Sequence, residues 1–182
     1  MKHVGIILGS TRQGREGDKV ATWVYNHTNE QTAAHYELID LRDWPLPFFD
    51  SPDSPGEIIN GNYDDPQTRA WSEKISSFDG FIIVTPEYNH GYPGVLKNAL
   101  DHLFSEWNGK PVSFVGYGGG AGGTRAVEQL RQVVIELRMI PLYSEVCLPR
   151  PWSAFDDNGE TKDTNLLKKL LGIFDILEKN IS

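Results

Sequence analysis

Residues 79–101 read DGFIIVTPEYNHGYPGVLKNALD. The run from Phe81 to Val84 is short, wholly apolar and bounded by Gly80 and Pro86, the pattern of a strand buried on both faces. It leads into a loop holding Pro86, Tyr88, Asn89, His90, Gly91, Tyr92, Pro93 and Gly94. Prolines fix the backbone and glycines free it, so this loop is shaped rather than slack, and its rings exceed what a connection needs. From Pro93 the pattern becomes helical and is expected to continue to Trp107. A buried strand, a shaped loop and a helix make the repeating unit of a parallel α/β sheet.

The same unit recurs on both sides of that stretch. HVGIILG is followed by Val20, Trp23, Val24 and His27 at helical spacing, and HYELID alternates as a second strand. Trp71, Ile75 and Phe78 share a helix face before the third strand. KPVSFVGY is the fourth strand, and Val127, Leu130, Val134 and Leu137 form the stripe of the next helix. YSEVCL is a weaker fifth strand, and TNLLKKLLGIFDILEKN a closing amphipathic helix. Five such strands call for one domain over residues 1–182, an α/β three-layer sandwich around a parallel sheet of order 2-1-3-4-5. In that order the switch point lies between the first and third strands, so a ligand crevice is expected from the loops that follow them.

Bulk composition narrows the partners. With 17 basic against 25 acidic residues the net charge is −8, which argues against a nucleic-acid or anionic membrane surface, since both need a basic footprint. No apolar run is long enough to span a bilayer. The single cysteine, Cys147, excludes an internal disulfide and reads as a small buried hydrophobe, and no Cys/His spacing suggests a metal site. The basic, briefly apolar start MKHVGIILGS is too short for a signal peptide, so a cytoplasmic protein is expected.

Any anion must therefore be captured locally, and residues 9–19, GSTRQGREGDK, are suited to do so. A glycine-bearing turn into a helix start offers backbone N–H groups, a hydroxyl on Ser10 or Thr11 and the helix dipole, with Arg12 adding charge. Gly9, Arg15, Gly17 and Asp18 complete this candidate phosphate site. It is not a P-loop, because Gly17 is followed by Asp18 and Lys19, and the glycines at 9, 14 and 17 lack the dinucleotide spacing. The alternative is a solvated turn.

The loop after the third strand offers Tyr88, with Tyr92, as a wall for a flat ring, and peptide groups from Pro86 through Glu87 to Asn89 as polar contacts. The alternative is tyrosines that pack a tight turn. Glu87 reads as a capping or solvated acid rather than a general base, and His90 as a solvated side chain. At the end of the fourth strand, GYGGGAGG exposes bare backbone at Tyr117, Gly118, Gly119 and Gly120, either as a ligand edge or as a hinge. No Gly-x-Ser-x-Gly elbow or His/Asp pair is present, so no catalytic side chain is assigned; a bound cofactor needs none.

The stretches GSTRQGREGDKVATWV and TPEYNHGYPGVLKNALDHLFSEWNGKPVSFVGYGGGAGGTRAVEQLRQV resemble the NAD(P)H-dependent FMN reductase family. The matching positions include Gly9, Ser10 and Arg12, then Pro86, Glu87, Tyr88, Asn89, Pro93, Gly94, Leu96, Lys97, Asn98 and Ala99. Many members carry a serine and an asparagine where this chain has Arg15 to Asp18. The resemblance implies a flavodoxin-like fold, bound FMN with its ring held by the Tyr88 loop, and NADPH or NADH as hydride donor. It further implies a small-molecule acceptor such as a quinone, an azo dye or free flavin, and a homodimer or homotetramer. The rival function is a flavodoxin-type electron carrier working with protein partners.

Helix geometry also bears on assembly. In a helix from Pro93 to Trp107, the residues Val95, Leu96, Ala99, Leu100, Leu103, Phe104 and Trp107 span about 180°, against the roughly 100° stripe that covers one sheet face. A second subunit is the expected cover. The competing covers lie within one chain: the long 42–66 loop, with Trp44, Phe48, Phe49 and Tyr63, or the 150–160 segment, with Trp152 and Phe155.

Overall fold

The computed structural model describes residues 2–28, 34–58 and 61–181. Five parallel strands, β1 (His3–Leu8), β2 (His35–Asp40), β3 (Gly80–Pro86), β4 (Pro111–Gly118) and β5 (Ile140–Pro149), pair in the order β2-β1-β3-β4-β5. Successive side chains of a strand point to opposite faces, and the sheet accordingly divides two cores. On one face Ile6, Leu8, Val84, Val115 and Tyr117 meet α1 (Gly17–Asn26) and α6 (Thr164–Asn180). On the other, Ile7, Phe81, Ile83 and Phe114 meet α2 (Pro66–Ser76), α3 (Gly94–Asp101) and α4 (Thr124–Glu136). The three central strands are covered on both faces, which is why they read as unbroken apolar runs. The edge strands β2 and β5 mix buried and exposed positions, and this is the source of the weak signal in YSEVCL.

The helix expected to reach Trp107 ends at Asp101, and a 3-10 turn, Ser105–Trp107, follows. Two indoles explain the stop. The last carbonyls of a helix lack intrahelical donors, and here Trp71 Nε1 donates to Ala99 O (2.8 Å) while Trp107 Nε1 donates to Leu100 O (3.2 Å). Trp107 thereby folds into the core against Phe81, with ring centroids 5.1 Å apart. Leu103 and Trp107 are buried within one chain. The outer side of α3 is covered by the 42–66 loop: Trp44 packs on Trp71 (5.1 Å), Phe49 on His102 (5.5 Å), and Asn98 Nδ2 and His102 Nε2 both meet Pro47 O (2.8 and 2.9 Å). The apolar surplus that called for a second subunit is thus largely buried intramolecularly, and that argument for a dimer falls.

Candidate active site

The loop leaving β1 is drawn tightly against its surroundings. Gly9 donates to Val84 O (2.9 Å), and a Cβ there would stand 2.9 Å from Leu96 Cδ2. Ser10 is buried, with its Oγ 2.8 Å from the Tyr88 hydroxyl, so the loops after β1 and β3 are joined. Arg12 is exposed, and its guanidinium donates to the neighbouring carbonyls of Gln13 and Gly14, both at 3.2 Å.

Arg15, expected to face a ligand, is placed differently. Its side chain is 1% exposed. Its five N–H donors are directed at Asp40, Asp18 and Ser10 O: Nε to Asp18 at 2.7 Å, Nη1 to Asp40 at 2.8 Å and to Ser10 O, and Nη2 to Asp40 and Asp18. A guanidinium has five donors and no acceptor, so none is left over for a ligand. Asp18 is correspondingly turned to Arg15 and Arg42. The main chain is the free element. No described residue accepts from the N–H groups of Gln13 to Asp18, and α1 begins without a side-chain cap.

Above that helix start lies Tyr117. A Cβ on Gly17 would be 2.4 Å from its hydroxyl, so only glycine admits this approach. The hydroxyl is buried and has no partner at hydrogen-bonding distance; its polar neighbour, Ser10 Oγ, is near enough to interact with it but is bonded to Tyr88. Burial, reinforced by Tyr88, pushes its pKa well above the ordinary tyrosine value, so it stays a protonated donor. An orphaned buried donor beside uncapped N–H groups is an arrangement that lacks its acceptor.

The loop after β3 is a two-residue hairpin. Tyr88 and Gly91 exchange backbone bonds (2.8 and 3.0 Å), and Asn89 (φ 50°) and His90 (φ 70°) supply the two left-handed positions of a type I′ turn. Glu87 fixes its base: the carboxylate, 7% exposed, pairs with the Arg125 guanidinium and accepts from Arg125 N (3.2 Å) at the start of α4. The capping role read for this acid is the one the structure gives it. Gln129 Nε2 holds His90 O (2.9 Å).

These loops enclose a crevice of about 270 Å3 at the carboxyl ends of the strands. Arg12, Arg15 and Glu16 line one end; Pro86, Glu87 and Tyr88 line a side. Tyr117, Gly118 and Gly119 form the edge from β4, and a Cβ on Gly119 or Gly120 would meet nothing within 4 Å. Gly9, Ser10, Gly17 and Asp18 stand behind the lining rather than in it, and neither Asn89, at the exposed hairpin tip, nor Gly120 reaches it. The sequence reading missed Asp40, Arg125 and Trp152. An aspartate ending β2, at the same sheet edge as the β1 loop, was the available signal for the first, and a tryptophan just after β5 the signal for the last. A separate hollow of about 250 Å3 under the 42–66 loop, bordered by Phe49, Tyr63 and His102, shares no residue with the crevice.

The profile of the NADPH-dependent FMN reductases matches residues 1–153. The chain belongs to this family. Among its relatives, an NAD(P)H-dependent FMN reductase of Schizosaccharomyces pombe is 44% identical over 175 residues, covering 93% of this chain and 86% of the relative. A 2-hydroxy-1,4-benzoquinone reductase of Burkholderia is 34% identical over 180 residues, covering 94% and 92%. The flavoenzyme NAD(P)H:(acceptor) oxidoreductase of Paracoccus denitrificans superposes with a TM-score of 0.79 over 100% of this chain and 97% of the other, at 22% identity, which establishes the flavodoxin-like fold. An FMN reductase needs an anion site joined to a berth for a flat ring. Uncapped N–H groups, Arg12 and the orphaned Tyr117 hydroxyl fit the first; Tyr88 and the bare Gly118–Gly119 backbone fit the second.

Proposed function

We propose that this chain is an NAD(P)H-dependent flavin reductase that binds FMN in the crevice and reduces a small flat acceptor, such as a quinone, an azo dye or free flavin. The observation that carries the reading is the buried, unpartnered Tyr117 donor set beside the uncapped N–H groups of α1. FMN held there would supply the redox chemistry, hydride transfer from NADPH or NADH and onward transfer of the electron pair to the acceptor. The protein's share is position and electrostatics. Arg12 and the N–H groups of Gln13 to Asp18 hold the phosphate, with Ser10 and Tyr117 as neighbouring hydroxyl donors. Arg15 keeps the loop in shape by tying Ser10 O to Asp40. Tyr88 borders the ring, and Asn89 shapes the hairpin that carries it. Glu87 and Arg125 brace the loop that carries both. The N–H groups of Gly118 and Gly119 offer donors to negative charge developing on the ring edge.

Anaerobic titration of the flavin-loaded protein with NADPH and with NADH tests the reading. Bleaching of the visible flavin band without a partner protein is the expected result. Bleaching that requires a protein partner would make the chain an electron carrier instead. A homodimer or homotetramer in the cytoplasm belongs to the same proposal; the exposed apolar outer surface of the 42–66 loop supports the assembly, and the single cysteine suits a reducing compartment.

A further inference from the structure

The crevice has a wall that no part of the FMN reading uses. Trp152 stands at its outer lip, 60% exposed, while Tyr117 and Pro86 on its floor are buried. The chain has five tryptophans. Trp23, Trp44, Trp71 and Trp107 each pack against another ring. Among the described residues no ring lies against Trp152, so a large indole face is left to solvent beside a binding crevice.

Its mounting is rigid. Arg150 adopts the left-handed conformation (φ 48°, ψ 60°), which a non-glycine residue holds only when its surroundings enforce it. The enforcement is visible: Arg150 N donates to Gly118 O at 2.7 Å, tying this segment to the β4 edge of the crevice. Pro151 is buried and fixes the next φ, and the single turn α5 (Pro151–Ala154) closes with Ser153 N and Oγ returning to Arg150 O at 3.0 and 3.2 Å. Beyond it, Phe155 packs on Trp23 of α1 at 5.8 Å. The strained residue and its ties hold Pro151 and Trp152 at the mouth.

Resting on the FMN reading, we infer that Trp152 is the docking wall for the second flat substrate, the nicotinamide donor and then a planar acceptor. The anion site lies deep, at the start of α1 and Tyr117, so FMN is anchored from the floor. What arrives later from solvent meets the lip. Aromatic faces prefer offset stacking, and an indole offers the largest face for it. Trp152 acts on binding rather than on chemistry, which raises affinity for planar partners over non-planar ones at constant turnover.

The test compares FMN-loaded wild type with Trp152→Ala and Trp152→Phe. Trp152→Ala should keep its FMN dissociation constant within about twofold, while NADP+ affinity, read from the flavin difference spectrum, falls roughly two- to tenfold. KM for NADPH and for 1,4-benzoquinone should rise by a similar factor at unchanged kcat, KM for the non-planar acceptor ferricyanide should not move, and Trp152→Phe should recover most of the loss. Unchanged NADP+ affinity and KM values overturn the inference. So does an FMN affinity that falls in step with them, which would make Trp152 a wall of the flavin. Wild-type protein that takes up no FMN overturns the underlying reading as well, and is recognised before any variant is made.

Discussion

Arg12 and Arg15 sit three residues apart in one loop, yet only Arg12 is available to a ligand. A charge-assisted contact to phosphate is worth ~1.5–3 kcal/mol, so Arg12→Ala should weaken FMN binding by roughly one to two orders of magnitude while leaving riboflavin binding unchanged; fluorescence titration with both ligands checks it. Arg15 is matched to Asp40, which becomes its neighbour through the parallel register that sets Leu8 beside Asp40. Residue types in a loop announce an anion site, but not which arginine a carboxylate 25 residues away will claim. Burial pushes the Asp40 carboxyl up, and the Arg15 bonds together with Arg42 N outweigh it, leaving the group below its ordinary value. A folded pKa below the unfolded one means stability that is fully present above about pH 4 and lost as pH falls through the folded value. Asp40→Asn should therefore be less stable than wild type at pH 7, by about 1–2 kcal/mol given a partly exposed carboxylate, and the gap should narrow at pH 3; urea unfolding at both pH values measures it.

At the scale of elements, periodicity served best where one face or both faces of an element are buried. The three central strands, the α4 stripe of Val127, Leu130, Val134 and Leu137, and the closing helix all lie where their patterns put them. The failure was α3, and its cause is tertiary. The helical spacing of Leu103, Phe104 and Trp107 continues past the true end, because a pattern of apolar residues does not record that Trp71 of α2 will take the carbonyl of Ala99 and that Trp107 itself will turn back to that of Leu100. Trp107 is fully buried between Phe81 and Trp71. Trp107→Ala should cost about 3–5 kcal/mol through the cavity and the lost donor, read as a lower midpoint in equilibrium urea denaturation. The three glycine-bearing loops at the strand ends were legible as a crevice because topology places them there, whatever their side chains do.

At the scale of the molecule, the question is what a second subunit would cover. It is not α3, whose apolar side is closed by Trp44, Phe49 and Trp71 of the same chain. Closing it moves the problem outward, since the covering loop turns its own apolar residues to solvent: Phe48 is 86% exposed and Phe49 38%, with Pro45, Pro47 and Pro52 exposed beside them. Single exposed apolar side chains are ordinary, but a run of them on one loop, stiffened by prolines, has the composition of an interface core. Twofold dimers are the commonest assemblies, and a loop packed against α3 presents a fixed surface to its own copy. Light scattering at micromolar concentration should then give at least twice the chain mass of 20.5 kDa, and Phe48→Asp, which places a charge in that surface without touching the core, should lower it towards the monomer. A monomeric wild type with full reductase activity would remove the dimer from the proposal and leave the loop as an intramolecular cover alone.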